Sequence, residues 1–179
     1  AIGPGDLDLM LAFQQNRRIE YNHPTLPSQP GMFVDLNTMN YSIRYNMPAF
    51  RQTELTIGIN GMYQNNKNKD ATDFPIPDYG LLDAGSFIFA KWKNNHWTVS
   101  GGIRYDIRWL NGNDFYTRTD PATGFSRQAF FPDTGGAYLQ FPSFSEAFKG
   151  LSLSLGATLK VSDKINIKAN LARGYRAPS

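Results

Sequence analysis

Arg104, Asp106 and Arg108 stand at every second position of one run, and Arg44 holds the matching parity of another. In extended chain, side chains two apart project from one face, so these charges would share a surface. Two readings fit that surface. With Asn60, Gln64 and Asn170 at the polar parity of their own runs, the charges could line a watery lumen and tune what passes. Equally, they could form a polar ladder whose charges compensate one another beside water.

A second concentration of chemistry lies in 111–148, where Phe115, Tyr116, Arg118, Phe125, Arg127, Phe130, Phe131 and Tyr138 crowd one segment. Aromatic faces beside guanidinium groups suit a ligand held by stacking and cation–π contact. They equally suit a long loop packed on its own aromatics. His23 and His96 fall in a long and a short connection, expected at opposite rims, and no spacing suggests a metal site. Asp6, Asp8 and Glu20 offer no acid–base geometry. Cysteine is absent, and no nucleophile elbow, phosphate loop or dinucleotide fingerprint occurs. The expectation is a non-enzyme with no catalytic residue, metal or cofactor.

The elements that must position these residues are strands. Alternation of period two dominates: Trp97, Val99, Ile103, Tyr105, Ile107 and Trp109 oppose Thr98, Ser100, Arg104, Asp106 and Arg108. The same pattern marks 7–13, 36–47, 54–64, 151–161 and 165–175, whereas Phe87-Ile88-Phe89 leaves 81–92 ambiguous. Seven strands are expected, in an all-β antiparallel up-and-down meander. Its connections alternate strictly between long (22–35, 65–80, 111–148) and short (48–51, 93–95, 162–164). One edge therefore carries tight turns and the other long loops, as in membrane-spanning barrels. A strand tilted by about 45° gains roughly 2.3 Å of depth per residue. The run from Trp97 to Trp109 then spans about 28 Å, close to the ~25 Å apolar band between aromatic girdles. Leu55, Ile57, Ile59, Ile103 and Ile107 would meet lipid.

Composition agrees. Charged residues are 18% and aromatics 14%, with 16 glycines and 11 prolines, where a soluble domain carries about 25% charged residues. A mean hydropathy of −0.43 and the lack of an 18-residue apolar run exclude a transmembrane helix. The net charge of +3 is scattered, apart from Arg17-Arg18. A nucleic-acid binder would concentrate a basic stripe, so nucleic acid is not an expected partner. Both ends look like cuts, and residues 1–179 are expected to be a piece of a longer protein.

The C-terminal run Asn170-Leu-Ala-Arg-Gly-Tyr-Arg-Ala-Pro-Ser179 resembles a barrel signature of TonB-dependent outer-membrane receptors, with Gly174, Tyr175, Arg176, Ala177 and Pro178 at the matching positions. Asn16-Arg-Arg-Ile-Glu20, Leu36-Asn-Thr-Met-Asn-Tyr41, Phe74-Pro-Ile-Pro-Asp-Tyr79 before a strand holding Asp83, and Gly101-Gly-Ile-Arg-Tyr-Asp106 match the same family in order. The resemblance implies part of a 22-stranded transmembrane β-barrel, in the outer membrane of a Gram-negative bacterium. It implies import of a scarce nutrient, foremost an iron–siderophore chelate, driven by the TonB complex through a plug domain outside this chain. The last barrel strands are expected to lie outside it too. Arg44, Arg104, Asp106 and Arg108 would then also face the plug. With two open edges and an apolar face, the isolated piece is expected to self-associate. A soluble, secreted all-β binding or adhesion module is the alternative, and a barrel enzyme lacks its catalytic set.

Overall fold

Each alternating run can hydrogen-bond a neighbour along its whole length while keeping its apolar residues to one side. The computed structural model describes residues 5–178. Residues 1–4, the expected N-terminal cut, and Ser179, the last residue of the signature, lie outside the described residues. Seven long strands form the main sheet: β1 (Asp6–Glu20), β2 (Met32–Asn46), β3 (Thr53–Asn68), β4 (Tyr79–Lys93), β5 (Trp97–Gly112), β9 (Phe144–Lys160) and β10 (Asn166–Arg173). They pair in the order β1-β2-β3-β4-β5-β9-β10, every pair antiparallel. The all-β meander of seven strands is the expected one.

Register sorts the side chains into two faces. Tyr45, Ile57, Ile88, Ile103 and Leu153 lie opposite one another across five strands. Leu9, Ile43 and Ile59 make a parallel row. Much of this apolar face is open to the outside, Leu9 at 69% and Ile88 at 50%. The apolar band stops at one row, Phe13-Met39-Tyr63-Leu82-Trp109. The next row outward is polar or glycine on each of the six strands it crosses: Gln15, Asn37, Asn65, Gly80, Asn111 and Ser145.

The ambiguous fourth strand resolves through glycine. Ile88 joins the apolar face, while Phe87 and Phe89 turn to the other one. Phe87 lies opposite Gly58 and Phe89 opposite Gly102. A Cβ on Gly58 would come within 2.7 Å of the Phe87 ring. Two rings break the alternation because two glycines leave them room.

Most strands outrun their expected bounds, whereas β10 stops at Arg173, short of the expected 165–175, where the chain leaves the ladder. β1 continues past residue 13 to Glu20, β2 begins at Met32 and β3 continues to Asn68. The apolar alternation ends at the band, but the backbone ladder does not. The connection expected as one loop over 111–148 also differs: it holds β6 (Phe115–Thr119), β7 (Ser126–Ala129) and β8 (Tyr138–Phe141), a small sheet in the order β7-β6-β8. This sheet caps the long-loop end. Phe115, 2% exposed, packs with Ala71 and Phe74, flanked by Phe33 and Phe141. Phe74 and Phe141 meet the Phe115 ring at 5.1 and 6.0 Å between centroids.

Candidate functional site

Strand alternation carries Arg44, Asn60, Gln64, Arg104, Asp106, Arg108 and Asn170 to the face opposite the apolar band. A cavity of about 1120 Å³ opens on that face. Asn60, Gln64, Arg104, Asp106 and Arg108 line it, with Asp83, Met62 and Tyr79. Arg44 and Asn170 lie outside it. Arg44 pairs with Asp8 at 3.0 Å on exposed ground, and Asn170 sits above Gly156.

Four of the charges lining the cavity form two pairs. Arg108 grips Asp83, its cross-strand partner, with Nε donating to Oδ1 at 2.7 Å and Nη2 to Oδ2 at 2.8 Å. A fork of this kind is the strongest arrangement open to an arginine and a carboxylate. Arg104 Nε donates to both oxygens of Asp106, at 2.7 and 2.9 Å. Gly85 lies beneath this second pair, where a Cβ would collide with both side chains. Asp83 is a partner that sequence reasoning placed only within a family motif. Its odd position in a strand of unclear parity concealed that it faces Arg108.

The C-terminal signature enters the same cavity. β10 ends at Arg173, against Leu153 halfway along β9, and the chain turns over the cavity face. The Tyr175 N–H donates to Ser152 Oγ at 3.0 Å, and its ring covers Gly150. Arg108 Nη1 donates to the Pro178 carbonyl at 2.9 Å. Tyr175, Arg176 and Ala177 line the cavity, while Gly174 makes the bend beside open space.

The long connections close into one cap. Thr72 and Asp73 N–H groups donate to the Gly31 carbonyl at 3.0 and 2.7 Å. His23 Nε2 lies 2.6 Å from Thr72 Oγ1, with its ring tilted against Phe125 at 4.4 Å between centroids. Arg127 donates to Asp70 at 2.6 Å and to Gln29 at 3.0 Å, tying the small sheet to both neighbouring connections. Arg118 donates to the Asp133 and Gly135 carbonyls. The Asp114 carboxylate accepts the Ser143 N–H at 2.6 Å, and that bond first of all holds its pKa below the ordinary carboxylate value. The nearby Tyr116 hydroxyl is pushed up by the Asp114 charge.

The loop residues singled out by type thus divide. Phe115 is enclosed in the packing, and Arg118 and Arg127 hold backbone and carboxylate partners within the cap. Phe130, Phe131 and Tyr138 are open, at 66%, 89% and 70%. His96 sits at the opposite, short-turn end between β4 and β5. Among the described residues no three His, Asp or Glu side chains gather as metal ligands.

The sequence model described as TonB dependent receptor-like, beta-barrel matches residues 11–179. Among solved structures, the chain titled Copper transporter OprC superposes with a TM-score of 0.61 at 16% identity. The superposition covers 98% of this chain and 28% of that one, so this chain spans just over a quarter of its relative. No curated protein sequence matches.

Proposed function

The chain belongs to the TonB-dependent receptor β-barrel family, and on that premise we propose that it is a stretch of barrel wall from an outer-membrane importer of a scarce small nutrient. Closing the sheet with further strands of a 22-stranded barrel removes both open edges. The apolar face then meets lipid, and the cavity face becomes the lumen. Arg44, Asn60, Gln64, Arg104, Asp106, Arg108 and Asn170 line that lumen and meet a plug through which the TonB complex acts. The seat is the outer membrane of a Gram-negative cell.

One observation carries this reading. The apolar face ends at a single cross-strand row with a polar row above it, and Trp92 and Trp97 close its other end beside a short turn. A soluble sheet would instead bury such a face on a second layer.

The substrate is an iron chelate of the siderophore class. Phe130, Phe131 and Tyr138, open at the cap, suit an organic chelate by stacking, with the signature residues Gly174 to Pro178 in the passage below. Outside its barrel the piece self-associates through its edges. The test is fractionation of the parent protein. Recovery in detergent-extracted outer membranes, with iron-chelate uptake lost on its deletion, supports the reading. Secretion in soluble form overturns it.

A further inference from the structure

Above the polar row on the apolar face, Arg17, Asp35 and Lys67 form one cross-strand row, and Lys69 reaches the same place from the end of β3. The acid here is buried and the cations are open. The Asp35 side chain is 8% exposed, against 62% for Arg17 and 45% for Lys69. Gln15 Nε2 already donates to both Asp35 oxygens, at 2.9 and 3.2 Å. Arg17 and Lys69 stand farther from the same carboxylate, at 3.7 and 3.9 Å. Two cations thus share one carboxylate that has its hydrogen bonds from elsewhere. One positive charge is in surplus, and both heads are free to swing outward.

Height decides what they meet. Arg17 is four residues beyond Phe13, where the apolar band ends on its strand, or about 9 Å of depth at barrel tilt, with Ile19 two residues farther on. The headgroup layer adds roughly 5–8 Å to each side of the hydrocarbon, so the Arg17 backbone stands at its outer edge and the long side chain reaches back to the phosphates. Long cationic stems snorkel across such a boundary with the charge in the polar layer. We propose that Arg17 and Lys69, spaced by Asp35 with Lys67 beside them, form a docking site for the phosphate of a lipid headgroup at the outer membrane surface. The proposal rests on the reading that the apolar face meets lipid. The shared aspartate gathers both cations around one carboxylate oxygen, at 3.7 and 3.9 Å, and Lys67 stays on Asp78 at 3.2 Å.

The test uses the full-length protein in nonionic detergent, with diphosphoryl lipid A and phosphatidylcholine offered at equal mole fraction and bound lipid counted by native mass spectrometry. Lipid A should be retained in preference. Arg17→Gln with Lys69→Gln should lower its retention by about fivefold for each cation removed, leaving phosphatidylcholine unchanged. Lys160→Gln, beside Asp163 at the opposite end, should change neither lipid. If the double variant folds poorly, high salt on the unaltered protein gives the second reading, since screening weakens lipid A retention alone. Equal retention of both lipids, or lipid A retention indifferent to the substitutions and to salt, overturns the proposal. Retention of neither lipid overturns the lipid-facing reading itself.

Discussion

The cap and the wall are built from the same kind of strand, yet they satisfy their apolar residues in opposite ways. In the cap, short strands and two connections fold inward until Phe115, Phe74 and Ala71 are shut away from the outside. In the wall, six of the seven strands run 15–17 residues against 4 or 5 in the cap, but Leu9, Leu11, Ile103 and Leu171 remain open. The cap carries its own core. The wall has exchanged a core for a surface that needs an apolar solvent, which is the logic of a barrel in lipid.

The largest way to break this contrast is Phe115→Ala. Emptying an enclosed aromatic site costs about 3–5 kcal/mol, so the cap should lose protection in amide exchange while the wall keeps it. Simultaneous loss in both would mean that the regions form one cooperative unit. Next comes Ile103→Lys in the full-length protein, where a charge on the lipid face costs about 2–4 kcal/mol near mid-bilayer. Assembly should suffer, and Ser42→Lys on the cavity face should be tolerated. Thr98 and Ser100 are poorer controls, because register sets them opposite Lys93 and Lys91 and like charges directly opposed are unfavourable. Equal effects at Ile103 and Ser42 would sink the assignment of faces.

A smaller loss, about 1–2 kcal/mol after allowing for partial exposure, is expected for Asp83→Asn in thermal unfolding. It leaves Arg108 without its fork and should free the Pro178 contact. The smallest effect concerns acid. Asp114 has a depressed pKa in the folded chain, so its contribution is present above the ordinary carboxylate value and lost as pH falls through the depressed one. Below about pH 4 the protection of the Ser143 amide, measured against its intrinsic exchange rate, should fall. In Asp114→Asn the protection should lack that step, and an identical profile would remove the carboxylate from the account.

The wall was legible because lipid on one side and water on the other write a period-two pattern that survives in a single strand. Trp97 to Trp109 needs no partner to be recognised. The cap was not legible for the converse reason. Phe115–Thr119 and the four-residue runs Ser126–Ala129 and Tyr138–Phe141 are too short to show a period, and their burial comes from residues as distant as Phe33 and Phe74. Phe87 and Phe89 stayed ambiguous because their room is made on other strands, by Gly58 and Gly102. The pairing of Arg108 with Asp83 needed register, which turns parity into neighbours. The residues facing the cavity could be chosen by parity alone, but which of them line it depends on the turn of the chain after Arg173.

The glycines beneath large side chains have a consequence for the depth of the cavity. Arg104 and Asp106 lie over Gly85, Phe87 beside Gly58, and Tyr175 over Gly150. Side chains of that length standing upright would project across the opening. Laid flat on bare backbone, they coat it instead. The depth of the cavity is therefore set by atoms that are missing from the wall behind, and a single added methyl at Gly85 would act as a wedge, tipping an ion pair up into the open space.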